Sequence, residues 1–207
     1  MNEITAITPQ IKDKRRCNIY IDGRFYCGLT IETAVKNRLK VGQVVLPSYL
    51  AEIQLESEKN TALDKAMTHL SATRKTEKQI RDFLASKGYL STVCDYVVEK
   101  LKGYGFLNDK EYAETYVESL AKKTGARSIR AKLYRKGLSQ EDVDEAIGNL
   151  DEDTQRQTAQ EILQKYMRNK DTDKETLQKA GKYLIGKGFE FELVKEVIST
   201  FGSIDEE

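Results

Sequence analysis

The chain has 207 residues and a formal net charge of +1, with 34 lysines and arginines against 33 aspartates and glutamates and one histidine. That length suits several small domains, the even charge excludes a globally basic nucleic-acid coat, and a lone histidine excludes both a histidine-rich metal site and a two-histidine mechanism. Cys17, Cys27 and Cys94 form no Cys-x-x-Cys pair, no apolar run reaches membrane-spanning length and the N-terminus lacks an apolar signal core, which predicts buried thiols, no membrane partner and a reducing, cytoplasmic setting.

Residues 1–46 read as a small β region. Arg16–Ile21 and Arg24–Gly28, rich in aromatic and β-branched residues, flank Asp22-Gly23, the dipeptide suited to a type I′ turn. A β-hairpin is therefore predicted, with Glu3–Ile7 as a third strand, because a lone hairpin is rarely stable in water. Tyr20, Phe25 and Tyr26 are expected in the core of this sheet and not at a contact surface. A short helix is expected over Thr30–Leu39, and another from Pro47, which suits a first helical turn, to about Lys59.

Beyond this point the chain repeats itself. Lys87-Gly88, Lys136-Gly137 and Lys187-Gly188 put their glycines 49 and then 51 residues apart. Four residues before each glycine stands Leu84, Leu133 or Leu184, and eight before it Ile80, Ile129 or Ala180. Nine, ten and thirteen residues after it come Val97, Ala146 or Val197, then Val98, Ile147 or Ile198, then Leu101, Leu150 or Phe201. These offsets put the apolar side chains on single helix faces, and an apolar helix precedes each pair, as in Tyr112, Ala113, Tyr116, Val117 and Leu120. Three tandem three-helix repeats follow, at 47–104 with a leading helix, 105–150, and 151–207 with an acidic tail. Units of this size lean on one another, so a mainly α, elongated array preceded by a small antiparallel sheet is expected.

Helix ends are legible within the repeats. Asn108 with Glu111 and Thr76 with Gln79 have capping-box spacing, and Ser139 can cap the helix after it. The Lys-Gly pairs read as C-terminal punctuation: glycine takes the left-handed conformation, and lysine complements the negative end of the dipole.

Catalytic patterns are weak. Ser119 and Lys122 have Ser-x-x-Lys spacing without a second half of a site, and Gly186-Lys187-Gly188 closes a helix where a phosphate loop would open one. Glu141, Asp142, Asp144 and Glu145 read as solvated carboxylates near a helix N-terminus. No enzyme and no cofactor are expected. From Ser119 to Gln140, by contrast, there are seven basic residues and no acidic one. With Ile129 and Leu133 turned inward, Arg127, Arg130 and Tyr134 form one outward stripe. Their equivalents are Lys78 and Arg81 in the first repeat but Gln178 and Gly181 in the third. The candidate anion-binding set is Lys78, Arg81, Lys122, Lys123, Arg127, Arg130, Lys132 and Arg135, set against the alternative of an ordinary charged helix face.

The run Gly103-Tyr-Gly-Phe-Leu-Asn-Asp-Lys-Glu-Tyr-Ala113, followed by Tyr116 and Val117, resembles the central signature of the RecX family, bacterial regulators of the RecA recombinase. The resemblance continues through Arg127-Ser-Ile-Arg130, Leu133 and Lys136-Gly137-Leu138, and backward through Leu70-Ser71, Arg74 and Leu84 to Lys87-Gly88-Tyr89. It is looser in the third repeat, where Gly181 and Gly186 replace stronger helix formers; the Asp22-Gly23 hairpin resembles the extension of longer Gram-positive members. It implies tandem units related to helix-turn-helix modules, no catalytic residues, and binding to the RecA filament on DNA, single-stranded first and double-stranded second; with no clear dimerisation segment, a monomer is expected. It also implies inhibition of the recombinase in DNA repair, homologous recombination and the SOS response. Two rivals stay open, a helix-turn-helix transcriptional regulator and a structural helical adaptor.

Overall fold

The computed structural model of the chain describes residues 2–11 and 13–204; of the acidic tail expected after Gly202, Ser203 and Ile204 continue the last helix and Asp205–Glu207 lie outside the described residues. The chain divides into two compact units, Met1–Arg74 with Ile80–Phe106 and Lys75–Gln79 with Leu107–Glu207.

The first unit opens with an antiparallel sheet in the order β1 (Ile4–Pro9), β2 (Arg16–Ile21) and β3 (Arg24–Thr30). Asp22 and Gly23 join β2 to β3 with φ of 47° and 79°, the double positive φ of a type I′ turn. Strand alternation sends Cys17 and Ile19 of β2 and Cys27 and Leu29 of β3 inward with Ile4, onto Leu50 and Ile53. The same alternation overturns the expectation for the aromatic residues. Tyr20 pairs with Phe25 while Ile19 pairs with Cys27, so Tyr26 is the extra residue of a bulge and the Tyr20–Phe25 pair lies on the face away from the core. Phe25 is 60% exposed and Tyr26 40%.

α1 (Ile31–Lys36) is capped by the Thr30 hydroxyl, which accepts from the Thr33 N–H, and it ends earlier than expected at Asn37, before Arg38 at positive φ. α2 (Pro47–Ala72) merges the expected leading helix with the first helix of the first repeat. Between Lys59 and Ala62 stand only Asn60 and Thr61, weak helix formers but not breakers. Thr61 returns its hydroxyl to the Ser57 carbonyl, and Ala62 and Ala66 are fully buried, so packing carries the helix through. α2 packs on β3 and on α4 (Ser91–Gly103), which follows α3 (Glu77–Ser86).

The second unit contains α5 (Asp109–Ala121), α6 (Ala126–Arg135), α7 (Gln140–Gly148), α8 (Glu152–Met167), α9 (Lys174–Gly186) and α10 (Phe191–Ile204). One core joins Ala113 and Val117 of α5 to Ile129, Leu133, Val143 and Ala146. Another joins Ala159 and Leu163 of α8 to Ala180, Leu184, Phe189, Val194 and Val197. The positions four and eight before each Lys-Gly glycine are fully buried in all three repeats. Sequence and packing agree at the helix starts too. Asn108 accepts from the Glu111 N–H and Ser139 from the Asp142 N–H, while Thr76 and Gln79 exchange hydrogen bonds reciprocally. Gly88, Gly137 and Gly188 have φ of 83°, 84° and 90°. The residue after each glycine donates its N–H to the Leu84, Leu133 or Leu184 carbonyl, closing the same helix-ending motif three times.

Candidate nucleic-acid interface

α6 is short and strongly two-sided. Burying Ile129 and Leu133 leaves Arg127, Arg130, Tyr134 and Arg135 exposed, as the spacing predicts. Lys122, which ends α5, and Lys123 are also exposed, and Lys132 is half-buried. Of these, Lys122, Lys123, Arg127, Lys132 and Arg135 make no ion pair among the described residues. They leave the second repeat with five cations that no carboxylate neutralises, Lys122, Lys123 and Arg127 among the exposed ones.

Arg130 is different. Its guanidinium stands 3.3 Å from Asp144 Oδ1, a buried oxygen that accepts no hydrogen bond among the described residues. Arg81 makes the same bridge to Asp95 in the first unit. Both pairs stand seven residues before and seven after a Lys-Gly glycine, so this link between the second and third helices is itself repeated. In the third repeat the two positions are Gly181 and Lys195, and the link is absent. Comparison of the repeats isolates these arginines because they drop out of the last one; the structure gives that loss a structural component, since the carboxylate drops out with them. Asp144, expected as a solvated carboxylate, is half-buried and paired, and Glu145 holds Lys110. Lys78 is exposed, with its stem laid against Gly137, where a Cβ would collide with it.

The Lys-Gly turns do more than end helices. Within the second unit the Thr76 hydroxyl donates to the Lys136 carbonyl at 2.7 Å, and the Thr124 hydroxyl donates to the Lys187 carbonyl. Gly125 and Arg127 add N–H donors to the Lys187 and Gly188 carbonyls. In return, Asp109 accepts from the Glu77 N–H and Gln155 from the Ala126 N–H. The first N–H groups of one repeat's middle helix are thus satisfied by the next repeat, and the carbonyls ending the next repeat's middle helix are satisfied in turn. Sequence periodicity does not reveal this joint, although threonine beside the start of α3 and of α6 is its signal. The lysines of these turns lie over aromatic rings: Lys87 over Phe83, Lys136 over Tyr112 and Tyr116, and Lys187 over Tyr183.

Ser119 donates to the Tyr116 carbonyl of its own helix, and the lone histidine, His69, stacks on Phe83 at 4.1 Å. A groove of about 780 Å³ beside Arg130 is lined by Arg156, Glu152, Glu190 and Glu196 together with Ile147 and Leu193. Among the described residues no cluster of His, Cys, Asp and Glu could hold a metal ion, and no helix is long and apolar enough to cross a membrane. Phe106 is 56% exposed, in edge-to-face contact with Tyr104.

Comparison with known proteins covers nearly all of these elements. Residues 2–46 match the family model described as the regulatory protein RecX N-terminal domain, and residues 62–101, 108–147 and 153–198 match the first, second and third three-helix domains of RecX. The chain is 32% identical over 211 residues to the regulatory protein RecX of Clostridium beijerinckii, covering 99% of this chain and 98% of that protein. It is 30% identical over 210 residues to the namesake of Clostridioides difficile, covering 100% and 99%. Its fold is similar to a crystal structure of regulatory protein RecX, with a TM-score of 0.72 at 25% identity over 95% of this chain and 98% of that one. A crystal structure of RecX from Lactobacillus salivarius is alike in fold, at a TM-score of 0.66 and 22% identity, with 69% and 96% covered.

Proposed function

The chain belongs to the RecX family of regulatory proteins, and on that premise we propose that it is a non-enzymatic cytoplasmic regulator that binds RecA filaments on single-stranded DNA and lowers recombinase activity in DNA repair and recombination. The observation that carries the reading is the set of cations on the second repeat, where Lys122, Lys123 and Arg127 have no carboxylate of their own to neutralise them. A set of this kind gains free energy by releasing counterions from a phosphate backbone, and it does so without reading sequence. Lys78, Arg81, Arg130, Lys132 and Arg135 complete the proposed contact set. Arg81 and Arg130 serve it from within ion pairs, so they add direction more than net charge. Tandem modules joined by repeated hydrogen bonds suit a partner with a repeating surface, because several weak contacts then act at high effective concentration.

The test is ATP hydrolysis by RecA on single-stranded DNA with the chain added over a wide ratio range. Loss of hydrolysis as the chain is added is expected, and an unchanged rate throughout refutes the reading. The helix-turn-helix transcriptional alternative predicts something else: sharp preference for one duplex sequence without RecA.

A further inference from the structure

We propose that the solvent face of the N-terminal sheet is a stacking surface for single-stranded nucleic acid, separate from the cations of the second repeat. The proposal rests on the reading above only in taking DNA as the polymer.

Three observations converge on this face. Tyr20 and Phe25 are cross-strand partners on the side away from the core, in edge-to-face contact at 6.0 Å, and Phe25 shows most of its ring to solvent. A strand position needs no exposed phenylalanine to form, so the ring costs solvation until something flat covers it. Beside the pair the face turns polar. Asn18 and Gln10 lie next to Gly28, with Gln10 Nε2 donating to Asn18 Oδ1 at 2.8 Å, a row of amides able to meet base edges.

Charge is the third observation. Residues 1–46 hold eight basic and four acidic side chains, a surplus of +4 in a chain whose total is +1. Exposed cations lie at both ends of β2, Arg24 leaving the sheet on the side of its partner Ile21. Lys14 and Arg15 are exposed at the β1–β2 turn, and Arg24 beside Phe25 is exposed at the opposite end of β2. Lys14 and Arg24 make no ion pair among the described residues. Arg16 is instead committed to the fold, donating to Thr61 Oγ1 and the Gly28 carbonyl. Aromatic rings between cations at the two ends of a strand match a ligand with flat bases on an anionic backbone. Stacking of that kind tolerates any sequence and fails with paired bases, whose faces are occupied. A purely apolar protein partner would leave this charge surplus unused.

The chain contains no tryptophan, so Phe25→Trp in the full chain places a single reporter on the face. Titrated with an oligo-dT strand in the absence of any recombinase, its emission should be quenched saturably, with no matching effect from an abasic strand of equal length or from duplex DNA. Phe25→Ala should weaken oligo-dT binding, read by anisotropy of a labelled strand, about tenfold. Binding of oligo-dT without quenching, or equal quenching by the abasic strand, overturns the proposal. So does an emission change that appears only when a partner protein is added, which would make the face a protein contact. Because RecA is absent, this outcome and that of the hydrolysis assay are separable.

Discussion

Substituting Gly188 and Gly88 separately by alanine measures the joint between repeats with the chain as its own control. Both glycines sit at nearly the same left-handed φ, 90° and 83°, so both variants bear the same backbone cost, about 1–2 kcal/mol for a Cβ in that conformation. Their surroundings differ completely. A Cβ on Gly88 meets nothing within 4 Å, whereas one on Gly188 runs into the backbone and Cβ of Ser128 at the start of α6. To make room, α6 must withdraw from the turn that accepts from Thr124, Gly125 and Arg127. Thr124 and Gly125 are buried, and a buried donor left without a partner costs about 1–3 kcal/mol. Breaking one or two of these bonds puts Gly188→Ala about 2–4 kcal/mol beyond Gly88→Ala. Urea unfolding followed by circular dichroism reads the difference from the midpoints, with the slope reporting any loss of cooperativity between the repeats. Equal destabilisation of the two variants would refute the joint and return the Lys-Gly turn to simple helix punctuation.

Replacing Lys122, Lys123 and Arg127 together by alanine should weaken single-stranded DNA binding and reduce the slope of log affinity against log salt by about 0.7 for each phosphate no longer neutralised; an unchanged slope removes these residues from the interface. Arg130→Ala should in addition lower thermal stability, by up to about 1 kcal/mol, because it leaves Asp144 without its counter-charge at a partly exposed site. Burial pushes the Cys27 thiol up from 9.0 to about 11, with the neighbouring Cys17 adding to the rise. The folded state therefore holds this proton more tightly than the unfolded one, so its stabilisation is complete below pH 9 and is lost as pH rises toward 11, by about 2 kcal/mol. Cys27→Ala should flatten that alkaline limb of the stability curve, and a limb identical to the wild-type one refutes the assignment.

Much of the helical part was legible because its signals are local or periodic. Leucine four residues before each glycine, the Thr76–Gln79 reciprocity and the Asn108 and Ser139 caps all depend on neighbours a turn or two away. The outward direction of Arg127 and Arg130 followed from the same periodicity. What the periodicity could not carry was pairing across helices. Arg130 meets Asp144 fourteen residues on, and Thr124 meets Lys187 sixty-three residues on, distances at which spacing says nothing about contact. The sheet shows a different limit. Its hairpin and turn were readable from Asp22-Gly23, but which face was buried depended on one bulge, and an extra residue at Tyr26 decides which way the aromatic rings point. The helix expected from Pro47 to about Lys59 runs on to Ala72, because tertiary packing of Ala62 and Ala66 overrides the weak helix preference of Asn60 and Thr61.

That continuous helix turns the attachment of the sheet into a question of phase. At 26 residues α2 is about 39 Å long, gripping the sheet core through Leu50 and Ile53 and burying Ala62 and Ala66 further along. Each residue added or removed between those two contacts would turn one end against the other by about 100° and shift it by about 1.5 Å. Seven residues nearly restore the angle, and a single residue destroys it. Length between Ile53 and Ala62 is therefore as constrained as any side chain in the core, even where the intervening residues are exposed and individually replaceable.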